Sequence, residues 1–425
     1  MSLISRLIKR EERGRVITVA VTGAGFIGRG MVYQVDHTPG MRTALIVNRT
    51  IERAVEAFVV AGRDRADIIV SDELAALQEA VDAGRPAVTS RAEVLAGLTG
   101  IDVVVEVTGA VEYGAQVVLR ALEGGAHVVM MNAETDATVG CALKRRADRA
   151  GLVYTNSDGD QPGVLKRLCD YVAGMGLEVV AAVNCKGFMD VHATPESIRP
   201  WAEKQHTSLP MTTAFTDGTK MNIENAVLAN ATGLVPDVRG MHGIATTMRE
   251  ALDDCLRAFR RHAVVDYTLG GDFGGGVFVI GYGEHPQMVH SYMQYLKMGP
   301  GPYYLFFRPY HLCHYETPLS IAEAVLDGEP TIAPLGRPVV EVVTMSKRPL
   351  EPGDVLDGIG GYTCYGDIDA AGGAAGLLPI GLAEGAVVTR AIAADRPIPF
   401  DAVELRHDSL VMELRREQDA LADAA

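Results

Sequence analysis

The side chains best suited to chemistry in this 425-residue sequence lie in its middle third. In the stretch DGTKMNIENAVLANA, Asp217, Lys220 and Glu224 stand at i, i+3 and i+7, so a helix over 217–231 lines them up on one face. The surrounding residues are uncharged and mostly apolar, as in a buried helix, and Lys before Glu at i,i+4 is the less favourable order for an exposed pair. The stripe therefore reads as one facing a cleft rather than a solvated charge ladder. Lys186 follows a predicted strand over 178–183, in Asn184-Cys185-Lys186-Gly187-Phe188. A lysine ammonium beside a carbonyl stabilises the oxyanion that forms when hydride adds, and can then protonate it. The pattern predicts carbonyl reduction with Lys220 or Lys186 as the acid and Glu224 or Asp217 holding the ammonium in place.

Hydride needs a carrier, and the stretch VITVAVTGAGFIGRG (16–30) offers a place for one. A short apolar run suited to a strand covered on both faces leads into Gly23, Gly25 and Gly28 at the GxGxxG spacing. The first glycine allows a tight turn, the second lets a diphosphate approach the backbone, and the third lets the next helix pack close. The helix N-terminus at Phe26 and Ile27 then presents unpaired N–H groups to phosphate. At the end of the second strand, 42–47, an acidic residue would hold a ribose 2′-hydroxyl, but this chain has Asn48-Arg49-Thr50. A guanidinium there attracts a 2′-phosphate, so NADP is expected over NAD.

The elements that position these residues alternate between strand and helix through the first 160 residues. Strands are expected over 87–89, 101–107, 127–131 and 152–155, with helices over 51–61, 71–83 and 163–173. Ligands bind beyond the carboxyl ends of the strands in such a sheet, which adds Thr108, Gly109 and Asn132 to the expected cofactor contacts. The fold class is α/β: a Rossmann-type doubly wound parallel sheet (1–160), an α+β catalytic and dimerisation domain (161–335), and a small β-rich domain with a closing helix (336–425). The Pro-rich stretch 329–338 marks the second boundary.

Bulk properties narrow the partners. A formal net charge of −15 argues against nucleic acid, and no apolar run approaches the roughly 18 residues that span a bilayer. The basic opening is interrupted by Glu11 and Glu12 and reads as an amphipathic lead-in, not a targeting segment. Six cysteines form no CxxC pair or zinc spacing, as in reduced thiols of a cytoplasmic protein. The expected partner is a small anionic substrate, in a homodimer or higher homo-oligomer.

Two further stretches bear on the site. Leu269 to Gly276 is Gly-rich between β-like arms and reads as a flap or hairpin tip. His311, His314 and Glu316 form an HxxHxE cluster, but Pro309 and Pro318 bracket it, which favours hydrogen-bonded histidines over a metal site. The carboxylates Asp158, Asp160, Asp217 and Glu224 could serve Mg²⁺ or Mn²⁺ without fixing a ligand set.

GAGFIG, VEVTG and the strand end at Asn132 resemble the NAD(P)-binding domain of homoserine dehydrogenases. NCKGF (184–188), DGTKMNIE (217–224), NATGLVPD (230–237) and KMGPGPYY (297–304) resemble the 1-deoxy-D-xylulose-5-phosphate reductoisomerase-like family. KRPLEPGDVL (347–356) and the later GLAEGAVVTRAIAADRPI resemble a SAF domain. The resemblance implies a three-part NADPH-dependent reductase, homodimeric, acting on a small phosphorylated carbonyl or sugar-derived substrate such as 1-deoxy-D-xylulose 5-phosphate. A homoserine dehydrogenase-like alcohol dehydrogenase with no isomerase step is the nearest alternative. A non-catalytic NADP-binding sensor is the remaining one.

Overall fold

The computed structural model describes residues 2–205, 207–405 and 409–423, so the outermost residues of the first and last expected domains lie outside it. The chain forms two units, one of residues 1–160, 312–336 and 409–425, the other of residues 161–311 and 337–408.

The first unit opens with α1 (Leu3–Glu12), β1 (Ile17–Thr22), α2 (Phe26–Asp36), β2 (Met41–Val47) and α3 (Ile51–Val60). It continues through β3 (Ile69–Val70), α4 (Leu74–Asp82), β4 (Ala87–Thr89), β5 (Val103–Glu106), α5 (Val111–Glu123), β6 (His127–Met130), α6 (Ala133–Arg149) and β7 (Tyr154–Asn156). All seven strands pair in parallel in the order β3-β4-β2-β1-β5-β6-β7. Every residue of β1 is buried, as the unbroken apolar run requires when helices cover both faces. Strand order reverses between β1 and β5, and an open α/β sheet receives ligands at that switch point, beyond the strand ends. The expected doubly wound parallel sheet is present.

The second unit comprises α7 (Gln161–Gly174), β8 (Glu178–Lys186), α8 (Arg199–Gln205), α9 (Leu209–Thr216), α10 (Thr219–Thr232), β9 (Ile244–Ala245), α11 (Ala251–Ala258), β10 (Val264–Leu269), β11 (Val277–Tyr282), α12 (Ser291–Tyr295) and β12 (Tyr303–Arg308). Its five-stranded sheet runs β12-β11-β8-β10-β9, parallel at β8–β10 and antiparallel at β8–β11. This corrects the hairpin expected at Leu269 to Gly276, because β8 lies between the two arms. The loop is a clasp rather than a flap. Gly270 N–H donates to Lys186 C=O at 3.0 Å, Gly275 N–H to Cys185 C=O at 3.0 Å, and Cys185 N–H to Gly276 C=O at 3.1 Å. Phe273 anchors it by packing edge-on to Phe307 in the apolar cluster.

The chain rejoins the first unit in α13 (Cys313–Leu326), returns to the second for β13 (Val340–Ser346), β14 (Cys364–Ala370), β15 (Val387–Val388) and β16 (Val403–Glu404), and ends in α14 (Leu410–Asp423). Pro318 lies inside α13, so its ring does not exclude a helix there as the sequence suggested. The closing helix packs on α6 and α5 rather than on the strands before it, and Arg146 pairs with Glu417 at 2.9 Å. The antiparallel pair β13–β14 lies against α10. No helix among the described residues is long and apolar enough to cross a membrane.

Candidate active site

The glycine turn is built as its spacing requires. Gly23 has φ +100°, a backbone conformation that side-chain-bearing residues rarely adopt. A Cβ on Gly28 would stand 2.0 Å from the Gly23 carbonyl oxygen, so only glycine lets α2 start this close to the turn. A Cβ on Gly25 would meet nothing within 4 Å, leaving open space at the N-terminus of α2. No side chain caps that terminus, so its N–H groups are available to an anion. These residues fit the diphosphate of a dinucleotide. Phe26 is exposed and Ile27 half-buried beside it.

The neighbouring residues divide into fixed and free. Asn48 accepts from Ala24 N–H at 3.0 Å and donates to Thr50 C=O at 2.7 Å, so it shapes the turn. Arg49 and Thr50 are exposed beyond it. Thr108 faces Gly23 across the switch point and gives its N–H to Glu106 Oε1 at 2.9 Å, while its hydroxyl bonds the same oxygen. Gly109 is exposed with φ +72°. Asn132 is buried, caps α6 through Thr135 N–H at 3.0 Å and donates to Ala110 C=O at 3.2 Å, which is a structural task. Glu106 ends β5 fully buried, and burial pushes its carboxyl up to about 7, against the hydrogen bonds from Thr108. A carboxylate inside VVVE was the legible signal for it, since charge in a buried parallel strand needs a partner.

In the second unit, strand parity positions the candidate acid. Cys185 joins the apolar cluster with Ala251 and Cys255 of α11. The next residue, Lys186, therefore turns to the opposite face of β8. There its ammonium lies 5.2 Å from the centre of the Phe215 ring and feels the charges of Glu224, Lys220 and Asp217. Burial lowers its pKa most; Glu224 and Asp217 raise it, and Lys220 lowers it. The structure thus brings all four residues into one electrostatic cluster.

Asp217 departs from the expected arrangement. It caps α9 and precedes α10 instead of lying on that helix, because Gly218, with φ +86°, breaks the chain's helical course between them. Its carboxylate accepts from Thr219 N–H at 2.9 Å and pairs with Lys347 Nζ at 2.7 Å. Lys347 was given no role in the sequence analysis, and nothing in the local sequence links it to Asp217, 130 positions earlier. Burial raises the Asp217 carboxyl, and Lys347 pulls it back down.

A divalent cation finds no group of three or more His, Cys, Asp or Glu side chains arranged to hold it among the described residues. His311 Nδ1 pairs with Gly275 C=O at 2.8 Å. His314 packs on α2, where a Cβ on Gly30 would lie 2.6 Å from its Nε2. Its Nδ1 is buried with no hydrogen-bond partner among the described residues, contrary to the expectation of a satisfied histidine, because helix packing and not polarity fixes the ring.

Comparison with known proteins finds two family models along the chain. Residues 23–152 match the family model described as homoserine dehydrogenase, NAD binding domain. Residues 159–317 match that described as oxidoreductase DRL, catalytic domain, and contain all four middle stretches singled out from the sequence. No curated protein matches the chain. Among solved structures, it is similar to a myo-inositol dehydrogenase from Corynebacterium glutamicum, at 14% identity and TM-score 0.40 over 74% of this chain and 89% of that one. It is also similar to 1-deoxy-D-xylulose 5-phosphate reductoisomerase from Zymomonas mobilis in complex with NADPH, at 18% identity and TM-score 0.35 over 49% of this chain and 56% of that one. Likenesses this distant say nothing about substrate. The two family matches do speak to chemistry: the chain is an NAD(P)-dependent oxidoreductase that joins a homoserine-dehydrogenase-like NAD-binding domain to a DRL-type catalytic domain.

Proposed function

We propose that the protein is an NADPH-dependent reductase of a small, anionic, phosphorylated carbonyl compound, with Lys186 as general acid. The observation that supports this most is the Lys186 ammonium, half-buried and charge-coupled to the buried Glu224 and the half-buried Lys220, with its pKa lowered. A lysine so placed surrenders a proton more readily than one in water, as protonation of a nascent alkoxide requires. Lys220 adds positive charge for an anionic substrate, and Glu224 holds the ammonium pair. The nicotinamide cofactor supplies the hydride; the exposed Arg49 at the end of β2 favours its 2′-phosphorylated form. In this reading residues 1–160 serve the nucleotide, 161–335 the substrate and the homodimer contact, and 336–425 form the SAF-like part of a cytoplasmic protein.

The reduction either stands alone or accompanies a carbon-skeleton isomerisation, as with 1-deoxy-D-xylulose 5-phosphate. NADPH oxidation should be followed with a panel of phosphorylated ketoses and aldehydes, before and after EDTA treatment. Turnover that EDTA leaves intact identifies simple reduction. Turnover lost to EDTA and restored by Mg²⁺ or Mn²⁺ identifies the reductoisomerase step. No NADPH oxidation with any member of the panel would favour a non-catalytic sensor and remove the proposal.

A further inference from the structure

We propose that Lys347 is a positioning residue of this site: by holding Asp217 at the head of α10 as a carboxylate, it sets the charge that Lys186 faces and makes residues 337–408 part of the catalytic apparatus. This rests on the reading of Lys186 as the acid, but its test does not.

Three observations carry it. First, Lys347 is 7% exposed as a residue, and its ammonium faces three oxygen atoms. It lies 2.7 Å from Ala193 C=O, 2.8 Å from Gly361 C=O and 2.7 Å from Asp217 Oδ2. Two of its N–H bonds go to backbone carbonyls and its charge faces Asp217, so its effect is exerted through that charge.

Second, β13 and β14 are fastened to α10 by polar side chains of that helix. Thr219 Oγ1 accepts from Gly366 N–H at 2.9 Å, and Asn222 Oδ1 accepts from Ile368 N–H at 2.8 Å. Asn230 Oδ1 accepts from Val339 N–H at 2.8 Å and Val340 N–H at 3.2 Å. Residues 219, 222 and 230 share one stripe of the helix, while Lys220 and Glu224 belong to another. This accounts for a buried helix so rich in Thr and Asn: its polar stripe satisfies the backbone of the strands.

Third, Asp217 sits where both charge systems meet. On one side it acts on Lys186 together with Glu224 and Lys220. On the other it faces Lys347, and from β14 Tyr365 and Asp367, the latter also under the influence of Arg239 and Asp369. Remove the Lys347 charge, and Asp217 keeps only its hydrogen bonds from Thr219 against the cost of burial, so its negative charge, one of two that face Lys186, is weakened.

The experiment reads Lys186 directly. Competitive labelling of the full-length protein with acetic anhydride across pH, followed by mass spectrometry of the Lys186 peptide, gives the apparent pKa of that amine without any substrate. In Lys347→Met the value should fall by about one pH unit as Asp217 loses its charge, and in the double variant Lys347→Met/Asp217→Asn, which leaves no buried charge unpaired, it should fall as far. Asp217→Asn alone should lower it as well, which keeps the test decisive if Lys347→Met does not fold. An unchanged Lys186 value in a folded double variant would mean that Lys347 is mere scaffolding and would overturn the proposal. Full activity of Lys186→Met, by contrast, would overturn the catalytic reading while leaving this charge relay measurable.

Discussion

The Lys186 ammonium stands 5.2 Å from the centre of the Phe215 ring, with Glu224, Lys220 and Asp217 as its charged neighbours. A cation over a ring face is stabilised by the ring quadrupole, so Phe215 offsets part of the burial that pushes the proton off. One strand end and one helix face converge there, and the positive charge is partly withdrawn from water.

Replacing Lys186 with Met keeps the length of the stem and removes the proton. Turnover in NADPH-dependent reduction should fall by about 10² to 10⁴, with a smaller effect on KM. Lys220→Met is expected to raise KM for an anionic substrate more than it lowers kcat. If both variants stay within about tenfold of the native rate, neither lysine is the acid.

The proposed preference for NADPH rests on Arg49. Its loss in Arg49→Gln should lower kcat/KM for NADPH by about 10- to 100-fold, the worth of a charge-assisted hydrogen bond to phosphate, and leave NADH nearly unchanged. A native enzyme that prefers NADH would take this role from Arg49.

Two glycines of one motif should respond differently to alanine. At Gly28 a Cβ would collide with the Gly23 backbone at 2.0 Å, so Gly28→Ala should destabilise the fold by about 1–3 kcal/mol in urea unfolding. At Gly25 there is room and φ is −76°, so Gly25→Ala should unfold like the native protein yet lose the thermal stabilisation that NADPH gives. Equal melting shifts with NADPH in native and Gly25→Ala proteins would place the diphosphate elsewhere.

Glu106 makes stability depend on pH with a definite sign. Its carboxyl is raised to about 7 in the folded protein, above the ordinary 4.5, so the folded state retains a proton that the unfolded chain has released. Stability should therefore fall as pH rises through that window. Relative to Glu106→Gln, the native protein should lose on the order of 3 kcal/mol of unfolding free energy between pH 5 and pH 8. Parallel pH curves for the two proteins would show that Glu106 stays ionised.

Much of this was legible in the residues themselves. The glycine spacing after an apolar strand announced the turn, and the alternation of apolar runs with helical segments announced the parallel sheet, because local backbone geometry and periodic burial dictate both. Lys220 and Glu224 were visible as a helical stripe. The clasp at Leu269 to Gly276 was not, since its arms pair with a strand about 80 to 100 residues earlier, and pairing partners are not written in local sequence.

What the sequence determined by itself was the nucleotide turn, the two enzymatic parts and the lysine–carboxylate inventory. Only the tertiary structure decided which carboxylate serves which lysine. Asp217 was expected on the helix facing Lys220, yet Gly218 breaks the helix before it and Lys347, 130 positions along the chain, claims its charge. Ion pairs form wherever folding buries opposite charges side by side, and the desolvation that makes such a pair obligatory exists only once the chain is packed.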